Sequence, residues 1–317
     1  MADINSWIDK YRPEKLDDIY SQTNIIKALK YTLLTKNIPH LIFYGPSGSG
    51  KTSTILTLSK ELFGDNYKDR IIQFNASDER GINIIRDKIK NYAKQSIKLI
   101  DKIPPWKIII LDDAETLTID SQFALRRIIE QYSKITRFCI ICNNSTNIIE
   151  PIISRCCLCR FKPINSNDIS LKLNNIIKHE NIKCNDNIIN NIIQISNGDL
   201  RKAINLLEKY SLNKNIDNIF IELSGNLPND KFNNLIQNII NKNINNVDKI
   251  INDIYNDGYS LINQILLFYN YIINLKIDDN KKIKILFKIA EIDQNLIKGC
   301  DEYIQYLNLI YYIMITL

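Results

Sequence analysis

Five short apolar runs punctuate the first half of the chain, at Leu41–Tyr44, Ile71–Phe74, Ile108–Leu111, Phe138–Cys142 and Leu158–Phe161. Each is bounded by turn-forming or polar residues, and runs of this length and content predict buried strands. Between them Thr52–Phe63, Ile82–Leu99 and Ser121–Tyr132 repeat apolar residues at helical spacing. Strands alternating with helices predict a parallel sheet covered on both faces, an α/β fold. After Pro163 the pattern becomes helical throughout. Ser166–Glu180, Asp186–Ser196 and Leu200–Tyr210 predict three consecutive helices, with Asp199 near the start of the third. Asp230–Asn241, Asn246–Tyr255, Ser260–Leu275 and Lys281–Ile289 predict more, before a last apolar-rich segment. Asn is a mediocre helix former, so these helices depend on packing against one another.

Composition narrows the class. A length of 317 residues suits two or three domains, and 45% hydrophobic with 24% charged content excludes a mainly disordered chain. The segmentation expected is an α/β domain over 1–163, a small helical domain over 164–224 and a helical bundle over 225–317. The net charge of +6 is compatible with a polyanionic partner. Seven cysteines, an odd number, and a polar, acidic opening without signal-peptide character suggest reduced thiols and an intracellular setting. The longest apolar run, Leu309–Leu317, is too short to span a bilayer, so no membrane association is expected. Two histidines, His40 and His179, leave little room for histidine-rich metal sites. Cys139 and Cys142 have a metal-ligand spacing, but residues three apart on a strand face opposite sides, which argues against zinc.

The strongest chemical signal is Gly45-Pro46-Ser47-Gly48-Ser49-Gly50-Lys51-Thr52, which follows a strand and opens a helix. This is the context in which G-x-x-x-x-G-K-[ST] binds nucleotide phosphates. The glycines let main-chain N–H groups turn inward around phosphate oxygens, and the helix end adds partial positive charge. Lys51 then reaches the β and γ phosphates of ATP, and Thr52 ligates Mg²⁺. The second carboxylate needed for the metal emerges from a buried strand in Ile108-Ile-Ile-Leu-Asp112-Asp113-Ala-Glu115, where Asp112 is the Mg²⁺ partner.

Charge is concentrated in one place. Arg80–Lys107 carries eight Lys or Arg against two Asp. Arg86, Lys90, Lys94 and Lys98 recur every four residues on one helix face, while Ile82, Ile85, Ile89, Tyr92 and Ala93 mark the other. Like charges at this spacing repel by a few tenths of a kcal/mol each. A solvated face and a surface offered to an external polyanion such as DNA are both readings of this ladder.

Taken together, the motifs resemble the small subunits of replication factor C, the eukaryotic sliding-clamp loader of the AAA+ ATPase class, with subunit four the most similar type. The strings that carry the resemblance include Trp7-Ile-Asp-Lys-Tyr-Arg-Pro13, the phosphate loop, Asn75-Ala-Ser-Asp-Glu-Arg-Gly81, Ala124-Leu-Arg-Arg127, Thr136-Arg-Phe-Cys-Ile-Ile-Cys-Asn143, Ser154-Arg-Cys156 and Gly198-Asp-Leu-Arg-Lys-Ala203. Order and spacing agree from Trp7 to about Leu207. The resemblance implies an AAA+ sheet domain with a helical lid and an all-helical collar. It also implies a heteropentamer with other replication factor C subunits, which opens the sliding clamp (PCNA) and loads it onto primer–template DNA in the nucleus. Hydrolysis of ATP would drive release.

The same resemblance assigns roles by position. Ile8, Tyr11, Arg12 and Tyr20 would line the adenine side, and Ser53 would continue the phosphate loop into its helix. Asn143 would sense the γ-phosphate, and Arg201 would close the lid. Arg155 would act in trans as an arginine finger on a neighbouring subunit's ATP. Arg80, Arg86 and Lys90 would touch DNA phosphates, with Lys94, Lys98, Arg126 and Arg127 as further candidates; such contacts are indifferent to sequence. One departure stands out. The family's acidic motif usually reads Asp-Glu-Ala-Asp, so the catalytic carboxylate falls on Asp113, one methylene shorter. Slow hydrolysis, or a purely structural ATP-binding subunit, is the alternative this raises, unless the backbone shifts or Glu115 substitutes.

Overall fold

The computed structural model describes residues 6–77, 85–97, 100, 103–212, 225 and 227–317, with backbone alone at 85 and 86. By packing, the chain divides into two compact units, 1–211 and 212–317.

In the first unit α1 (Trp7–Lys10) and α2 (Thr23–Thr35) precede strand β1 (Leu41–Tyr44). There follow α3 (Lys51–Phe63), α4 (Tyr67–Arg70), β2 (Ile71–Asn75), a π-helical turn at Ile85–Ile89 that runs into α5 (Lys90–Lys94), and β3 (Lys107–Asp112). After these come α6 (Ile119–Tyr132), β4 (Thr136–Cys142), α7 (Glu150–Ile153), β5 (Cys157–Arg160), and three helices, α8 (Ser166–Glu180), α9 (Asp186–Ser196) and α10 (Leu200–Leu212).

The five strands form one parallel sheet in the order β2-β3-β4-β1-β5. Its residues alternate between two cores. Ile42, Ile109, Leu111, Phe138 and Ile140 pack with Leu125, Ile128 and Ile129 of α6. Leu41, Phe43, Ile108, Ile110 and Ile141 pack with Ile55 and Leu58 of α3 and Ile26 and Leu29 of α2. Period-two alternation between two apolar layers is what a doubly covered parallel sheet requires. Cys139 and Cys142 fall in opposite cores, so their spacing forms no metal pair.

Two expectations change in this unit. The run read as a buried strand at Leu158–Phe161 is the edge strand β5, displaced by one residue, with Leu158 46% exposed and Cys157 exposed. The basic ladder is also interrupted. Its helix changes from π to α at Lys90 and ends at Lys94, whereas Arg80, Lys98 and part of the Ile82–Leu99 pattern lie outside the described residues. Lys107, counted with that charge, is 3% exposed. It turns inward and donates to the carbonyls of Tyr92 and, at 2.7 Å, Gln95. The buried ammonium thus sits on carbonyls at the C-terminal end of α5, sharing that of Tyr92 with the Gln95 N–H, which reaches it at 3.2 Å.

The second unit holds α11 (Asn229–Ile240), α12 (Ile244–Asn256), α13 (Leu261–Asn274), α14 (Asp279–Ile297) and α15 (Glu302–Thr316). Leu235, Val247, Ile251, Phe268, Ile285, Ile292, Leu309 and Ile310 form its core. A buried polar pair sits among them. Tyr306 Oη donates to Gln264 Oε1 at 2.6 Å, and Gln264 Nε2 donates to the Tyr259 carbonyl. Both groups are thereby satisfied in an apolar setting. Among the described residues no helix is long and apolar enough to cross a membrane.

Candidate active site

The sheet order brings distant motifs to one edge. Tyr44 is paired with Cys142 across β1 and β4, and Leu111 with Ile140 across β3 and β4. Gly45, Asn143 and the Asp112–Asp113 pair therefore emerge side by side at the carboxyl ends of three strands. Crevices there are where open α/β sheets bind ligands.

Loop 45–50 needs its glycines for space. Gly45 has φ +147°, and a Cβ there would lie 2.2 Å from the Phe161 carbonyl oxygen. Gly48, at φ +64°, would place a Cβ 1.8 Å from Asp199 Oδ1. Lys51 is buried, and among the described residues it forms no ion pair. Its Nζ donates to the Gly45 and Pro46 carbonyls at 2.7 and 2.9 Å and to Asn143 Oδ1 at 3.1 Å. Burial lowers its pKa, opposed by Asp112 and other nearby acidic groups. A desolvated ammonium held by neutral oxygens at a glycine-rich helix entrance fits a phosphate group.

The acidic turn is shaped by Asp113, whose φ of +50° puts it in the left-handed region. The chain reverses there into a 3₁₀ turn at Ala114–Thr116. Thr52 Oγ1 donates to Asp112 Oδ2 at 2.9 Å. Hydroxyl and carboxylate together make a hard oxygen pair that fits Mg²⁺. The Asp113 carboxyl is pushed above the usual carboxylate range by burial, then by Asp112 and Glu115, with Lys51 and Arg201 pulling the other way.

The cleft is completed by the N-terminal segment and the helices after Pro163. Ile8, Tyr11, Arg12 and Tyr20 line it with Ser47, Gly48, Ser49, Gly50, Lys51, Thr52, Ser53, Asp112, Asp113, Asn143 and Arg201. Gly45 and Pro46 contribute through their carbonyls on Lys51. Sequence reading missed Lys172, Ile164, Leu200 and Ile204, which also line it. Leu200 and Ile204 flank Arg201 on α10 and were within reach of helical periodicity. Lys172 carries no motif signal; its Nζ lies 5.9 Å from the Tyr11 ring centroid. Glu180 of α8 ties this wall together, accepting from Lys10 Nζ at 2.6 Å and Tyr11 Oη at 2.5 Å.

Three family models match successive parts of the chain: "DNA polymerase III, delta subunit" over 21–165, "RCF1/5-like, AAA+ ATPase lid domain" over 171–212, and "Replication factor C C-terminal domain" over 227–312. Replication factor C subunit 2 of Saccharomyces cerevisiae is 42% identical over 96% of this chain and 91% of its own length. The chain belongs to the replication factor C family. Human replication factor C subunit 4 is 36% identical over 96% of this chain and 86% of its own, so relatives of this replication factor C chain carry both subunit numbers. The RuvB Holliday junction branch migration motor of Thermotoga maritima shares the fold. Its TM-score is 0.52 at 17% identity, over 72% of this chain and 79% of its own. As a replication factor C small subunit the chain is part of a multi-subunit clamp loader, and loading the sliding clamp is the family function.

The other residues singled out by the replication factor C resemblance are not among those lining the cleft. Arg155 follows α7, with Nη1 on the Pro151 carbonyl at 2.7 Å and Nε on Glu130 Oε1 at 2.7 Å. The same Glu130 oxygen accepts from Arg126 Nε at 3.0 Å. Lys90, Lys94 and Arg127 are exposed. The side chain of Arg86 lies outside the described residues, as do Arg80 and Lys98.

Proposed function

We propose that this chain binds and hydrolyses ATP with Mg²⁺ as one subunit of a heteropentameric clamp loader, which opens PCNA and places it on primer–template DNA in the nucleus. The convergence of Lys51, Thr52, Asp112, Asp113, Asn143 and Arg201 on one cleft supports this reading. The main-chain amides of loop 45–50 would hold the phosphates, with Lys51 on the β and γ groups. Thr52 and Asp112 would hold Mg²⁺, which supplies charge neutralisation at those phosphates when bound. Ile8, Tyr11, Arg12 and Tyr20 would enclose the base, and Arg201 would report closure of the lid. Asp113 would orient and polarise the water that attacks the γ-phosphorus, giving ADP and phosphate, with Asn143 aligning that water. Arg155 would reach a neighbouring subunit's ATP, and Lys90 with Arg86 and Arg80 would grip DNA phosphates.

The functional division proposed is 1–163 for nucleotide chemistry, 164–224 for the lid and 225–317 for the collar. Membership of the family over nearly the whole chain supports a working loader subunit rather than a purely structural one. The test is ATP binding and turnover of the assembled complex, with and without clamp and primed DNA, comparing wild type with Lys51→Ala. The expected result is loss of one bound nucleotide per complex and of the clamp- and DNA-stimulated turnover. Unchanged nucleotide stoichiometry in Lys51→Ala overturns the site.

A further inference from the structure

The acidic run ends in Glu115, and both of its oxygens are engaged at the exit of β4. Oε2 accepts from the main-chain N–H groups of Asn143 and, at 3.0 Å, Asn144. Oε1 accepts from Asn143 Nδ2 at 2.7 Å. The other end of that carboxamide, Oδ1, accepts from Lys51 Nζ at 3.1 Å. Turned over, the amide would set its oxygen against a carboxylate and its NH₂ against an ammonium. The charges on either side therefore decide its orientation. The left-handed Asp113 makes this possible, because the reversal leaves Asp112 and Asp113 on the cleft and carries Glu115 across to the exit of β4. The turn is closed by Thr116 N–H on the Asp113 carbonyl at 3.0 Å and Leu117 N–H on the Ala114 carbonyl at 3.2 Å.

We infer that Glu115 is the positioning residue of Asn143: it holds the end of β4 and determines which atom of the Asn143 amide faces Lys51 and the γ-phosphate. It is not a substitute proton acceptor for Asp113, since three donors already occupy its oxygens. This rests on the reading of Asn143 as the residue that aligns the attacking water. Gln at position 115 keeps the length but lacks the acceptors for all three donors.

The experiment uses the assembled complex carrying Glu115→Gln, Asn143→Ala, or both, with Lys51→Ala defining the share of turnover due to this site. Glu115→Gln is expected to lower that share's kcat on the order of 10-fold, with the KM for ATP within about twofold. In the Asn143→Ala background the added loss should be under about twofold, because two residues acting as one unit are not additive. Amide hydrogen exchange at Asn143 and Asn144 should quicken in Glu115→Gln. Equal losses from Glu115→Gln in both backgrounds would mean that Glu115 acts independently, and would sink the proposal. Full turnover in Glu115→Gln where Asn143→Ala is impaired would do the same. If Asn143→Ala itself keeps full turnover, the water-aligning reading of Asn143 fails, and the inference falls with it.

Discussion

At the scale of single residues, the cleft separates carboxylates by environment. Asp112 shares a hydrogen bond with Thr52, Glu115 is engaged by Asn143 and Asn144, and Asp113 lines the cleft with its carboxyl pushed above the usual range by burial and its acidic neighbours. The acid limb of kcat/KM, which reports the free cleft, should therefore lie at higher pH than an ordinary carboxylate dictates, and a pH profile of kcat/KM checks it. Asp113→Asn is expected to reduce turnover roughly 10²–10⁴-fold, the usual worth of a positioned base, with ATP binding retained. Arg155 is prepared differently. Nε and Nη1 are held by Glu130 and Pro151, and Nη2, the other arm of the guanidinium, would reach a phosphate. Arg155→Ala should slow the neighbouring site by about 10³-fold or more, leaving nucleotide binding in its own cleft intact. Arg155→Lys should not rescue it, because an ammonium lacks the fork.

At the scale of elements, the lid helix α10 meets the phosphate loop at Gly48, through the Asp199 carboxylate and the Leu200 N–H, which donates to the Gly48 carbonyl at 3.4 Å. Asp199 Oδ1 accepts from Lys202 N–H at 2.9 Å, capping α10, and it occupies the space beside Gly48. Gly48→Ala would displace that cap, costing about 1 kcal/mol, and would strain a left-handed position as well. A lowered Tm with weakened ATP binding is the expected outcome. Strands β1 and β4 are clipped by His40, whose Nδ1 accepts from Phe138 N–H at 3.1 Å. Burial, then Arg137, pulls its pKa from 6.5 to about 4. The unfolded chain thus binds more protons between those values, and stability is lost as pH falls from 6.5 towards 4. Thermal melts across that range should show the loss, and His40→Gln, which keeps an acceptor, should flatten it. Most elements were legible because apolar spacing survives the Asn-rich text. Helix α14 nevertheless runs to Ile297 where the pattern suggested Ile289, since Ile292 and Leu296 continue its buried stripe past polar neighbours. The apolar run at Leu158–Phe161 suggests a buried strand, but such a run does not say which strand is left at the edge of the sheet, where β5 lies.

At the scale of the whole molecule, DNA binding by the assembled loader should fall with salt, and Lys90→Ala should flatten the log–log slope by just under ~1. A slope unchanged in that variant would remove Lys90 from the phosphate contacts. The sequence alone determined the α/β-then-helical order, the phosphate loop and the acidic strand end, because each depends on local spacing that any fold must respect. Tertiary structure alone decided which face of the cleft Lys172 and Leu200 would complete, that Lys107 would cap a helix rather than meet solvent, and that Glu115 would serve Asn143. Those outcomes depend on strand order and on a reversal at one left-handed aspartate, and neither is written in the periodicity of the residues concerned.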